Sequence, residues 1–296
     1  MLLKKNYPPE GNSRTPPSRE ELLSAAADGS ILEATAVRCD ADHNLHVALG
    51  AYTGIIPREE CALGIDTGKT REIAILSRVG KPVCFRVTEL PEGLPPVLSR
   101  RAAQEEALDH IFDTWSPGDI LPAVVTSLTA CGAFCDVGCG ITALLGIESI
   151  SVSRIAHSRD RFREGQRIYA AVKFLDRELR RIFLTHRELL GTWAENAAAF
   201  RPGQTVTGIV RSVKDYGAFV ELLPNLSGLA DPNPDLREGD AVSVYIKSIL
   251  PEKQKIKLVA LHRLDPGAVP PQPVTYYKTS GHIDFWEYGP GQITVF

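Results

Sequence analysis

No apolar run in this chain approaches the ~20 residues that a bilayer-spanning helix needs, so no helical membrane span is expected. The start, MLLKKNYPPEGNS, turns polar and proline-containing before a signal-peptide core could form, and a cytoplasmic protein is expected. Cysteine is sparse: Cys39, Cys61, Cys84, Cys131, Cys135 and Cys139 are the six, and no CxxC pair occurs. That argues against a secreted disulfide framework. The even spacing of Cys131, Cys135 and Cys139 invites a metal reading. Four-residue gaps along a strand spread thiols too far to close a compact site, so free thiols are expected.

Signatures of catalysis are equally scarce. There is no G-x-S-x-G nucleophile turn. GIDTGKT at 64–70 has three residues between Gly64 and Gly68 where a phosphate-binding loop needs four, and reads as a surface loop. His43 and His46 lack the glutamate and helix of a zinc hydrolase. No enzyme, cofactor, metal or small-molecule substrate is expected. Net charge is only −3, which by itself announces no nucleic-acid partner. Its distribution is uneven: Ser151 to Leu190 carries ten Lys and Arg against five Asp and Glu, whereas Asp28 to Leu98 carries seven against ten.

What the chain does have is repetition. SVKDYGAFVEL at 212–222 shares its frame with SLTACGAFCDV at 127–137, 85 positions upstream. Three segments open on Gly29, Gly118 and Gly203. In each, a second glycine (Gly80, Gly165, Gly239) begins a β-rich run, and a short basic-apolar strand closes the segment. Short Val-, Ile- and Phe-rich runs punctuated by Gly and Pro indicate a small all-β unit of about 70 residues. The third is shortened, DPNPDLRE standing where the second has SISVSRIAHSRDRFRE.

The expected organisation is a flexible tail and short helix over 1–28, a degenerate repeat over 29–99 and a linker helix over 100–116. Repeat two follows over 117–187, a linker helix over 188–201, repeat three over 202–264, and an aromatic tail or hairpin over 265–296. Ser18 and Glu21 form a capping box ahead of Leu22, and the first fifteen residues are expected to be mobile. Leu108, Ile111, Phe112 and Trp115 make one apolar helical face, as do Leu189, Trp193 and Ala197. Ser280-Gly281 between two β-rich runs suggests a hairpin turn.

In the YGAF frame, alternation sends Ala218, Val220 and Leu222 into a barrel and Phe219 and Glu221 outward. Gly217 can kink the chain and return Tyr216 to the outside. Two rings on the outer face of a small barrel form a stacking platform for unpaired bases, and Lys255 and Lys257, alternating with Ile256 and Leu258, can reach phosphates.

YGAFVEL, LSGL, EGD and KIKL together resemble the RNA-binding module named after ribosomal protein S1. GIIPREE at 54, LSRRAAQEEA at 98 and LTHRELLGTWAEN extend the likeness across the repeats and linkers to a short three-repeat form. The resemblance implies all-β tandem five-stranded OB-fold barrels joined by linker helices. It puts the platform aromatics at Tyr216 and Phe219 and the basic residue of the last strand at Lys255. Asp231 stands where the family has a histidine. Repeat two keeps Phe134 and Arg181, with Cys131 and Gly146 at the other two positions, and Arg180, Arg181 and an exposed Phe183 compensate there. Repeat one has only Tyr52 and an acidic balance, suited to a protein-contacting or structural barrel. The resemblance further implies a single-strand RNA-binding protein of the translation apparatus, docked on the small ribosomal subunit through repeat one, with mRNA as ligand. An RNA-binding regulator of mRNA stability or stress and a protein-binding scaffold of barrels remain open from the residues alone.

Overall fold

The computed structural model describes residues 7–12, 15–265 and 274–296. Among them, fifteen strands close into three five-stranded barrels, and two more form a separate hairpin. The all-β expectation of tandem OB-fold barrels holds. By contact, the described residues fall into two compact units. One takes the described residues up to Trp115 with Pro122–Val124 and Cys135–Ala143; the other takes Ser116–Leu121, Val125–Phe134 and the described residues from Leu144 onward.

The first unit begins with α1 (Arg19–Asp28), where the Ser18 hydroxyl accepts from the Glu21 amide at 3.2 Å and the Glu21 carboxylate accepts from the Ser18 amide at 2.7 Å. This is the capping box foreseen in the sequence; it satisfies two backbone donors that the first helical turn leaves unpaired. Barrel one follows as β1 (Leu32–Cys39), β2 (Leu45–Leu49), β3 (Tyr52–Ile56), a short α2 (Ile73–Leu76), β4 (Pro82–Glu89) and β5 (Val97–Ser99). Its cyclic order is β1-β2-β3-β5-β4, with β3 and β5 parallel through Ile55 and Val97. Leu45, Val47, Leu49, Ile56, Phe85 and Leu98 fill it, and Leu22 and Ala25 of α1 join the same core. Residues 64–70 lie in turns between the β3 end and α2. Ser99 caps α3 (Arg100–Thr114), whose Leu108, Ile111 and Phe112 are buried as the apolar face requires.

The mobile tail expected over the first fifteen residues needs correcting. Residues 1–6, 13 and 14 lie outside the described residues, but 7–12 are held, and the reason is electrostatic. Glu10 meets the Arg100 guanidinium through Nε at 2.8 Å and Nη2 at 3.0 Å, both side chains being about 95% buried (relative exposures 5% and 4%). Arg78 adds a contact at 3.3 Å. The Glu10 carboxylate also accepts from the Cys84 amide at 3.1 Å, while Asp136 accepts from the Glu10 amide at 2.7 Å and from the Gly138 and Gly140 amides. Burial, then the neighbouring Glu10 charge, push the Asp136 carboxyl up to about 7.

Barrel two consists of β6 (Ile120–Thr129), β7 (Gly132–Asp136), β8 (Thr142–Gly146), β9 (Arg167–Asp176) and β10 (Arg181–Thr185), in the same cyclic order as barrel one. The linker that follows departs from the single helix expected over 188–201. Gly191, at φ 81° and ψ 167°, interrupts it, giving a 3-10 turn at Arg187–Leu190 and a short α4 (Trp193–Ala197) with its own Thr192–Glu195 capping box. Leu189, Trp193 and Ala197 are buried all the same.

Barrel three consists of β11 (Thr205–Lys214), β12 (Gly217–Leu223), β13 (Leu226–Ala230), β14 (Ala241–Leu250) and β15 (Lys255–Arg263), again ordered β11-β12-β13-β15-β14. Ala218, Val220 and Leu222 are fully inside, as alternation predicts. The β13–β14 connection spans residues 231–240, whereas the β8–β9 connection of barrel two spans 147–166.

The carboxy-terminal hairpin is β16 (Phe285–Gly289) and β17 (Gln292–Val295). Its turn is Pro290-Gly291, not Ser280-Gly281: proline fixes the first turn position and Gly291, at φ 78°, supplies the left-handed second. The tail pairs briefly with the start of barrel two, Asp119 bridging to His282, and otherwise packs by burial. Ile283, Trp286 and Tyr288 join the core cluster of barrel three. The Tyr276 hydroxyl lies 3.0 Å from His186 Nε2, and Tyr288 donates to the Asn225 carbonyl. Burial lowers His186 to about 4, keeping the imidazole neutral within this contact.

Candidate nucleic-acid interface

Tyr216 stands in the β11–β12 turn, 62% exposed, with its ring edge-on to Phe219 at 6.3 Å between centroids and 89° between planes. Gly217 makes this placement possible. Its φ is 146°, and a Cβ there would meet the Ala230 carbonyl oxygen at 2.3 Å. Gly132 repeats the arrangement in barrel two, with φ 145° and a Cβ that would lie 2.2 Å from the Leu145 oxygen. Both frames therefore require glycine for the same reason: two strands approach too closely for any side chain.

Strand pairing carries the site across the barrel surface. Phe219 pairs with Ser212 on one side and Leu229 on the other; Leu229 pairs with Lys257, and Lys257 with Ser248. An aromatic, an aliphatic and a cation thus share one outer row. Lys255 and Lys257 are exposed and alternate with buried Ile256 and Leu258, as the sequence pattern implied. Tyr216 and Phe219 also line a cavity of about 470 Å³ whose other walls include Arg154, Lys214, Gln254 and Tyr288. That volume lies within the usual range for small-molecule pockets.

Glu221 lies one step along the same outer face but is only 3% exposed. Arg161 and Arg211 close over it, Arg211 Nε donating at 2.8 Å. This network neutralises two arginines that the basic count over 151–190 and the site's surroundings would otherwise offer to phosphates, and it fixes the strand that carries Phe219.

Barrel two departs from the expected picture at one residue. Phe134 is half-buried on β7 and Cys131 is exposed; Arg180, at φ 50° in the β9–β10 turn, and Arg181 are both exposed. Phe183, expected to be exposed, is half-buried because Phe174 of the paired strand leans over it, ring centroids 6.0 Å apart. In barrel one Tyr52 is half-buried opposite Leu49, and no Phe, Trp or second Tyr accompanies it on β2 or β3. Cys61 and Cys135 are buried thiols, each pushed up to about 12 by desolvation.

Arg154, Lys214, Gln254 and Tyr288 were not singled out from the sequence. Lys214 sits two residues before Tyr216 and was within reach of the motif. The other three arrive from a loop of repeat two, the β14–β15 turn and the tail, and only tertiary packing brings them to the platform.

Comparison with known proteins agrees with this geometry. The S1 RNA binding domain family matches residues 116–187, the barrel that keeps the long β8–β9 connection. The small ribosomal subunit protein bS1 of Leuconostoc lactis is 34% identical over 195 residues, covering 60% of this chain and 45% of that protein. The bS1 homolog of Bacillus subtilis is 31% identical over 196 residues, covering 60% and 51%. The chain therefore spans about half the length of these curated relatives. A Streptococcus pneumoniae multidomain protein with nucleic acid binding domains is 16% identical with a TM-score of 0.27, covering 81% of this chain and 75% of that one, a likeness too low to add to the topology. Barrel two thus matches the S1 RNA binding domain family, and the barrels on either side of it repeat its cyclic strand order.

Proposed function

We propose that this protein binds single-stranded RNA on the outer face of barrel three, as a messenger-RNA-holding component of the cytoplasmic translation apparatus. The observation that carries the reading is the row Phe219–Leu229–Lys257, with exposed Tyr216 at its end and a cavity beside it. Rings stack on any base and the lysines neutralise the backbone, so binding of this kind tolerates sequence. Phe134, Arg180, Arg181 and Phe183 extend the contact on barrel two. The face holds rings and cations for binding, and no catalytic step is assigned to it.

Similarity to bS1 supports an association with the small ribosomal subunit. Barrel one, with more acids than bases and no paired rings, is the proposed docking element; an acidic face is oriented toward basic partners and repels an RNA backbone.

Fluorescence anisotropy with a labelled oligo-U across a salt series tests the RNA reading. The log–log slope for single strands is roughly −0.7 per phosphate contacted. Neutralising Arg180, Arg181, Lys255 and Lys257 together is expected to make the slope shallower by up to about 3. An unchanged slope would place the phosphate track elsewhere. Pelleting the same preparation with small subunits is expected at low salt and not at high salt; failure to pellet at either would remove the ribosomal part while leaving RNA binding in place.

A further inference from the structure

Barrels two and three share more than topology: they share a bulge. In barrel three the β14–β15 register jumps between Ile246 and Ser248, so that Ile246 faces Leu258 and Ser248 faces Lys257. In barrel two the β9–β10 register jumps in the same place, so that Val172 faces Leu184 and Phe174 faces Phe183. Phe174 therefore occupies the position of Ser248, and Phe183 that of Lys257. The matching YGAF and CGAF frames place Phe134 at the position of Phe219 and Leu144 at that of Leu229. Where barrel three has Phe–Leu–Lys–Ser across this face, barrel two has Phe–Leu–Phe–Phe.

A bulge re-aims side chains, and here it leaves Lys173 and Phe174 exposed in succession. Phe174 is 54% exposed, an unusual placement for a ring with an aromatic neighbour available to bury it. The two rings lie 6.0 Å apart between centroids, tilted by 36°, and exposed Arg181 is two residues from Phe183 on the same strand. Cys131 has meanwhile replaced the first ring of the motif at the other end of the row.

We propose that Phe174 and Phe183 form a second base-stacking platform, displaced across the outer face of barrel two from the position used in barrel three, for a separate stretch of single-stranded RNA. The occupant is RNA by charge. Arg177, Arg180 and Arg181 flank the rings on the β9–β10 hairpin against Asp176 and Glu178, while Lys173 is paired with Glu148 at 3.2 Å. Asp176 is engaged in the turn, accepting from the Leu179 amide at 3.0 Å. This inference rests on the proposed RNA-binding function but assigns it a residue pair that the motif alone does not contain.

The test uses the full chain with Tyr216→Ala and Phe219→Ala in place, so that remaining oligo-U affinity reports on barrel two. Phe174→Ser, which installs the barrel-three residue at an exposed position, is expected to lower that affinity about five-fold or more. Phe174→Trp should retain it, whereas a residue with only a structural role would not distinguish these replacements by ring stacking. Circular dichroism checks folding of each variant. Residual affinity that is absent from the background, or unchanged by Phe174→Ser, would overturn the second platform. Loss of a protein partner in a pelleting assay with oligo-U affinity unchanged would overturn it in favour of a protein contact. If the unsubstituted chain binds no oligo-U, the proposed function itself fails. If it binds and only the Phe174 variants are silent, that function stands and this inference does not.

Discussion

Replacing Tyr216 and Phe219 together by alanine should weaken binding of single-stranded RNA by on the order of 2–4 kcal/mol, about 30-fold to about 1,000-fold. On the proposed reading each ring supplies a face for one base, and Gly217 packs against the Ala230 carbonyl beside them. Tyr216 buries little within the fold, so its loss should leave the barrel standing. Phe219 is half-buried, and a circular dichroism spectrum and melting curve must accompany the affinity measurement. A folded double variant that binds oligo-U like the parent would show that the rings are packing residues.

The second large effect concerns stability. Arg100→Ala is expected to destabilise the first unit by about 3–5 kcal/mol, because it leaves buried acids without their cation. Glu10 loses a two-pronged partner at 2.8 and 3.0 Å, and Asp136, which shares the cluster through the Glu10 amide, loses a nearby positive charge. Arg78 lies on the margin, and its single 3.3 Å contact is a weaker substitute. Urea unfolding followed by far-ultraviolet dichroism should show an earlier midpoint for the unit that contains barrel one. Glu10→Gln and Arg100→Ala combined should be less harmful than the two single losses added, since the pair acts as one. A midpoint unchanged by Arg100→Ala would mean that water or a neighbouring cation already compensates Glu10.

Local patterns made much of this molecule legible. The Ser18–Glu21 box, the inward set Ala218, Val220 and Leu222, the exposed Lys255 and Lys257, and the buried face of α3 all follow from rules spanning a few residues. The failures involve distance or backbone detail. Glu10 looked like part of a polar tail because its partner, Arg100, is 90 positions away. Phe183 reads as exposed in the sequence because nothing local says that a bulge brings Phe174 beside it. The linker after barrel two carried an apolar helical stripe, and Gly191 broke the helix while preserving the burial. Ser280-Gly281 had the right composition for a hairpin turn, yet Pro290-Gly291 had the right backbone geometry as well. Within the candidate site, the motif residues were readable, whereas Arg154, Gln254 and Tyr288 reach it only through packing of the second unit.

The most direct measurement of the central claim is photocrosslinking of the full chain to a 4-thiouridine-containing single-stranded oligonucleotide, with crosslinked peptides identified by mass spectrometry. The account predicts crosslinks on the peptide holding Tyr216 and Phe219 and on the strand holding Lys255 and Lys257, competed by unlabelled oligo-U and weakly by duplex RNA. Crosslinks confined to barrel one, or none above background in the presence of a folded protein, would contradict it.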